Sequence, residues 1–392
     1  MTGPHESTVA AKRVIDLLRI HVVFDDRSVD GVRIAERISR HFDGIGMERD
    51  GVAHRVPVRF SSAAWDSSSP LPKAIDLDQA AHNAVVLLHD DDMDDHRGQW
   101  DDWTVDLRAR MTRRGAADVY IPFGNPAGGK PLPADEAAHI QYARRKQWKQ
   151  MADDEARDQR LLLLLLLTIR SHLRAFVGTV GKEPLFVSHA KADGDATAKA
   201  IVRFVDDPDD AVPLETFYDA KELMPGDDYE QRFKDEIGHG TLLAIVSDVY
   251  ESRPWCVFEL TEAKRRRRPI VLADVGGGRT SRTYPYGANL PRVRVRPELS
   301  GTAWIEPLLV ETMSEGLRCD LFERQATLAA PAGALVLPRP PELFDVAHRD
   351  GPLPACIVYP DPPLGEIEDD LVRRALAALS PGTKLKTLGE IT

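Results

Sequence analysis

Trp255 and Glu259 stand four residues apart in "SRPWCVFELTEAKRRRR", the stretch from Ser252 to Arg268. If this stretch begins as a helix, the indole and the carboxylate share one face. An aromatic in that place can wall a pocket or stack on a flat ring, and an ionised carboxylate can stabilise positive charge as it develops. A plainer arrangement fits the same residues: Trp255 in the core and Glu259 a solvated helix-start residue favoured by the helix dipole. Both readings stay open at the level of residue pattern. The arginines Arg265 to Arg268 that follow suit a helix C-terminus, with Pro269 opening the next strand.

The chain has 392 residues, too many for one ordinary core, and its 43% hydrophobic and 29% charged content is that of a folded protein. A formal charge of -11 argues against a general nucleic-acid binder, which needs a positive face to displace counterions. Cys256, Cys319 and Cys356 have no metal-ligand spacing and form no disulfide framework, which fits a reducing, cytoplasmic setting. The N-terminus lacks an apolar stretch of signal-peptide length. The leucine run Leu161 to Leu167 falls far short of the roughly 20 residues that cross a bilayer, so it reads as a buried helix and no membrane partner is expected.

The first half repeats a short apolar run, a turn and an amphipathic helix. "LRIHVVF", "RVPVRF", "NAVVLLHDDD" and "ADVYIPF" are strand candidates, and Val32, Ile34, Ala35, Ile38 and Phe42 recur at helical spacing. The leucine-run helix closes this unit near Gly178. The second half restarts the pattern with strands at "PLFVS", "LETFYDA", "TLLAIVSDVY", "PIVLADV" and "PRVRV", and a helix in "WIEPLLVETMSEGLRCDLFERQA". Strands alternating with helices predict parallel sheets covered on both faces. From Pro331 the chain is proline-rich, with "ALVLP", "ACIVYP" and the helix "EDDLVRRALAAL".

Residues 181–327 resemble a Toll/interleukin-1 receptor (TIR) domain of the NAD-cleaving bacterial and plant type. Three motifs in order carry the resemblance: "LFVSHAKAD", "FYDAKELMPGDDYEQRFKDEI" and "SRPWCVFEL", the last similar to a Ser-x-x-Trp-Cys-x-x-Glu-Leu signature. The resemblance implies an α/β fold of tandem flavodoxin-like, doubly wound parallel sheets with a short C-terminal extension. Residues 15–178 would form a degenerate TIR-like unit of regulatory or assembly role, residues 181–327 the catalytic TIR domain, and residues 331–392 a Pro-rich extension or the start of a further Rossmann-like domain. Glu259 would be the catalytic glutamate, with Phe186, Ser188, His189, Asp193, Asp219, Gly226 and Trp255 around the substrate. His189 is equally compatible with an ordinary loop residue, and Gly226 in "MPGDD" with an ordinary tight turn.

The activity implied is cleavage of the nicotinamide–ribose bond of NAD+, giving nicotinamide and ADP-ribose or a cyclic product. NAD+ is then substrate, and neither a cofactor nor a metal is expected. Partners implied are further copies of the chain, through TIR domains, and an activating protein or nucleotide signal, in an assembly-activated bacterial immune effector. The first half aligns Asp106-Leu107 with Glu259-Leu260, a shorter carboxylate in the glutamate's place, so it is expected to lack the chemistry. The rival from another class is a non-enzymatic TIR scaffold, and a third reading is a sensor that binds NAD+ or ADP-ribose without turnover.

Overall fold

A computed structural model describes residues 16–43, 56–62, 69–124, 130–142, 153–207, 212–218, 233–234, 237–276, 287, 289–347 and 351–391. Strands β1 (Asp16–Val23), β2 (Val58–Ser61), β3 (Ala80–His89) and β4 (Asp118–Gly124) form a parallel sheet in the order β2-β1-β3-β4. Strands β5 (Glu183–His189), β6 (Leu214–Phe217), β7 (Thr241–Val246), β8 (Ile270–Asp274) and β9 (Arg292–Arg294) form a second parallel sheet, β6-β5-β7-β8-β9. That is the flavodoxin-like order, and the first sheet repeats it up to its fourth strand. Strand β7 is buried along its whole length, as a central parallel strand covered on both faces should be.

The longer helices are α1 (Val29–Asp43), α2 (Arg97–Arg113), α3 (Asp154–Phe176), α4 (Asp195–Val205), α5 (Pro254–Arg265) and α6 (Ile305–Ala329). Helix α1 turns Ala35, Ile38 and Phe42 inward and leaves Val32 exposed. Helix α3 starts where Asp153 Oδ1 accepts from the Ala156 amide at 2.9 Å, an N-cap. Its leucines from Leu161 to Leu167 are buried save for Leu164, which is only partly so. A helix apolar on almost every side needs walls on every side. Here one core holds Ile20 and Val86 of the first sheet, Val187, Ile245 and Val271 of the second, and Leu309 and Met313 of α6. The leucine helix therefore does more than close the first unit. Both sheets are built onto it. Among the described residues no helix is long and apolar enough to cross a membrane.

Arg170 of α3 pins this junction. It is 1% exposed; Nε donates to Asp320 Oδ2 of α6 at 2.8 Å, and Nη1 lies 3.1 Å from Glu183 Oε1 of β5 and 3.2 Å from Thr241 Oγ1 of β7. Gly316 of α6 makes the room, because a Cβ there would collide with the guanidinium.

Beyond α6 the chain forms a third parallel sheet, β10 (Leu335–Val336), β11 (Cys356–Tyr359) and β12 (Lys384–Thr387), with helices α7 (Leu343–Ala347) and α8 (Glu366–Leu379). It has a small core of its own around Ile357, Val372 and Leu376, and its other face packs on Phe322 and Ala326 of α6. It is also tied to α5. The fully buried Lys264 ammonium meets Glu342 Oε2 at 2.8 Å, and Arg339, itself paired with Asp345 at 2.8 Å, reaches the Lys264 carbonyl at 3.5 Å. Burial pushes the lysine below and the glutamate above their ordinary pKa values, each against the pull of its partner.

Helix α5 ends at Arg265, so the arginine run begins at a helix terminus as its composition suggested. The Arg268 amide donates to Ala263 O and the Arg267 amide to Lys264 O, both at 2.9 Å, with Arg267 at φ 60°. This is a Schellman closure with arginine in the left-handed position where glycine is usual. Arg267→Gly is accordingly expected to raise stability by about 0.5–1 kcal/mol, read as an upward shift of the denaturation midpoint.

Candidate functional site

Helices α4 and α5 leave the adjacent strands β5 and β7 toward opposite faces of the second sheet: α4 packs into the large shared core, α5 into a separate cluster with Leu242, Ala244 and Leu272. Ligands of open α/β sheets bind beyond the strand ends where the chain divides in this way. Asp193, in the turn after β5, ties the two exits together. It accepts from Ser247 Oγ at 2.6 Å and from the Val249 amide at 3.2 Å.

Pro254 starts α5, a place where its missing amide costs nothing. The helix turns Cys256, Glu259, Leu260 and Ala263 inward, so a carboxylate takes one position of an otherwise apolar stripe. Glu259 is 6% exposed and is not a solvated helix-start residue. A buried carboxylate requires donors. Ser188 Oγ of β5 donates to Glu259 Oε2, and Ser188 Oγ lies 2.7 Å from the Tyr250 hydroxyl. Serine has one proton to give. With that proton on the glutamate, the tyrosine must donate to the serine, and the order is Tyr250 to Ser188 to Glu259. Burial, then the nearby Glu259 charge, hold the Tyr250 pKa well above its ordinary value, which keeps this phenol a donor.

The surroundings are aromatic. Phe186 stacks on Phe217 at 5.5 Å and meets Phe233 edge-on at 4.6 Å. Phe233 leads to Phe258 at 5.8 Å, and Phe258 to Trp255 at 5.7 Å. Trp255 and Glu259 differ in depth: the indole is 55% exposed at the end of this aromatic series, whereas the carboxylate is enclosed.

His189 goes elsewhere. Adjacent residues of a strand point to opposite faces, so with Ser188 toward α5 the imidazole lies toward α4. There it stacks on Tyr218 at 4.8 Å, 3.8 Å from Asp195 Oδ1. Of the residues singled out by sequence, the fold brings Ser188 to Glu259, places Phe186 beneath them, gives Asp193 a loop-tying role and puts His189 on the other face. Asp219 and Gly226 lie outside the described residues. Tyr250 was not foreseen: the sequence reading takes it into the strand "TLLAIVSDVY", whereas β7 ends at Val246 and the tyrosine opens the short turn beyond it.

The first sheet has no such arrangement among its described residues. Asp106, aligned by sequence with Glu259, instead faces solvent and pairs with Arg110 at 2.8 Å. Helix α2 turns Trp100, Thr104, Leu107 and Met111 inward, and Asp106 falls between them on the outside. Where the second sheet has Ser188, Tyr250 and Glu259, the first packs Val23, Val85, Leu87, Met93, Trp100 and Leu107.

No protein-family model matches the chain, and no curated protein matches it. Among solved structures it is similar to the TIR domains in the structure of the activated Roq1 resistosome directly recognizing the pathogen effector XopQ, at 22% identity and a TM-score of 0.21. The match covers 24% of this chain and 58% of that one, so it spans less than two thirds of the other's length. A likeness of that size bears on neither ligand nor activity.

Proposed function

We propose that the second unit is a TIR-type NAD+ glycohydrolase whose catalytic carboxylate is Glu259. The observation that carries this reading is the enclosed carboxylate on the α5 face near the carboxyl end of β5, held by Ser188 and backed by Tyr250. A stable fold has no need of a charge in that stripe, and a buried charge is costly unless it serves something. The motif residues around it in the sequence support the same reading.

Nicotinamide in NAD+ is already cationic, so its departure needs no strong acid. As the C1′–N bond breaks, the bonding pair neutralises the nicotinamide nitrogen and positive charge spreads over the ribose ring. An ionised carboxylate facing C1′ stabilises that oxocarbenium-like state. Water then adds to C1′ and loses its proton, giving ADP-ribose; attack by a ring nitrogen of the adenine in place of water gives a cyclic product. Trp255, half exposed on the same helix, offers a surface for a flat ring. The first unit, with apolar side chains in the corresponding place, serves assembly or regulation.

The reading is tested by incubating NAD+ with the purified full chain at high concentration, with a crowding agent to favour self-association. Nicotinamide and ADP-ribose or its cyclic form are expected on HPLC. Absence of any nicotinamide under those conditions, with wild type and a Glu259 variant alike, removes the enzyme and leaves the scaffold. Tyr250→Phe is expected to lower turnover about tenfold with a smaller change in KM, because it removes the donor that fixes the serine proton on the glutamate.

A further inference from the structure

A basic concavity lies on the other face of the second sheet from Glu259. It is a cleft of about 510 Å³ between α1 of the first unit, α6, and the edge strand β9. Val271 marks its side, since that residue belongs to the core shared with α3 while its neighbour Leu272 belongs to the α5 cluster. The volume is within the range of small-molecule sites.

Two kinds of surface meet there. Pro291 and the half-buried Val293 of the edge strand give an apolar floor, with the buried Val271 and Val310 behind them. Around it stand the guanidinium groups of Arg37, Arg40, Arg292 and Arg318 and the carboxylates of Glu311 and Glu315, in a chain whose overall charge is -11. Glu315 is already engaged by Arg318 at 2.6 Å. Arg37 pairs with Glu155 at 2.9 Å, yet its buried Nε has no hydrogen-bond partner among the described residues. Arg40 directs Nε at the Glu36 carbonyl, at 3.4 Å. His41 sets its Nε2 3.0 Å from Ser314 Oγ, and since Ser314 gives its proton to Val310 O at 2.7 Å, the imidazole is the donor in that pair. Burial and the Arg37 charge lower the His41 pKa to about 4, so this imidazole is a neutral donor.

Planar, bidentate guanidinium groups beside an apolar floor are the complement of a molecule that joins phosphate oxygens to a flat ring. We infer that this cleft binds a small phosphorylated ligand of the nucleotide class, its phosphates on Arg37, Arg40 and Arg292 and its ring over Pro291 and Val293. Such a ligand touches both units at once, α1 on one side and α6 and β9 on the other. Its binding fixes one arrangement of the two.

The test is isothermal titration calorimetry of the full chain with ADP, inorganic pyrophosphate and adenosine, in wild type and in Arg40→Glu, Arg292→Glu and Glu259→Gln. Arg40 and Arg292 are both exposed, and the melting temperature of each variant is compared with that of wild type. ADP is expected to bind saturably, pyrophosphate at least about tenfold more weakly, and adenosine more weakly still. Each arginine variant is expected to weaken ADP about tenfold or more, with Glu259→Gln unchanged. Three results overturn the assignment: no saturable ADP binding below millimolar concentration, ADP binding that survives both arginine variants and so lies elsewhere, or pyrophosphate as tight as ADP, which leaves an anion site with no ring subsite.

Discussion

Glu259→Gln is expected to cut nicotinamide release from NAD+ at least about a hundredfold while leaving the melting temperature unchanged or slightly higher. The two readouts are chosen to move differently. Glutamine has the volume of glutamate and keeps an acceptor for Ser188, so the inward stripe of α5 stays filled. It carries no charge, however, and neither stabilises a cationic ribose nor bears the desolvation of a buried ion. Were Glu259 a structural ion, its removal would lower stability and leave product formation untouched. That pair of outcomes sinks the catalytic assignment whatever the wild-type rate.

The second large effect concerns stability alone. Arg170→Met is expected to lower the free energy of unfolding by about 3–5 kcal/mol, because removing one partner of a buried ion pair strands the other. Glu183, 2% exposed, would be left with Arg174, whose Nη1 lies 2.7 Å from Oε2. Asp320 would lose its 2.8 Å donor as well. Adding Glu183→Gln to Arg170→Met should restore part of the loss, as coupled neighbours are non-additive. The measurement is the denaturant midpoint with its slope. A loss under about 1 kcal/mol would show that the junction of the sheets does not depend on this guanidinium.

The strands were legible wherever apolar runs are long, and for that reason "TLLAIV" and "AVVLL" mark the sheet centres without ambiguity. Strand β12 was not read in advance: "KLKT" alternates lysines with the buried Leu385 and Thr387, but over four residues that alternation is too short to stand out. The leucine run announced a buried helix, yet which walls enclose it depends on contacts with strands and a helix distant in sequence, Ile20 and Leu309 among them. Period two in β5 already separated Ser188 from His189, so the histidine's place on the other face could have been read from the strand itself. The opposite holds for Asp106. Matching a carboxylate–leucine pair by sequence ignored helical phase, and the phase set by Trp100, Leu107 and Met111 turns that aspartate outward.

The Lys264–Glu342 pair has a consequence for anyone dividing the molecule. A fragment ending at Ala330 would keep every residue of the second sheet and of its Glu259 site, and so would look self-sufficient on paper. It would also take away Glu342, whose Oε2 lies 2.8 Å from the fully buried Lys264 ammonium further along α5 from Glu259. Loss of function in such a fragment would report a disturbed helix before it reported any role of the third sheet, and Lys264→Met in the same fragment separates the two.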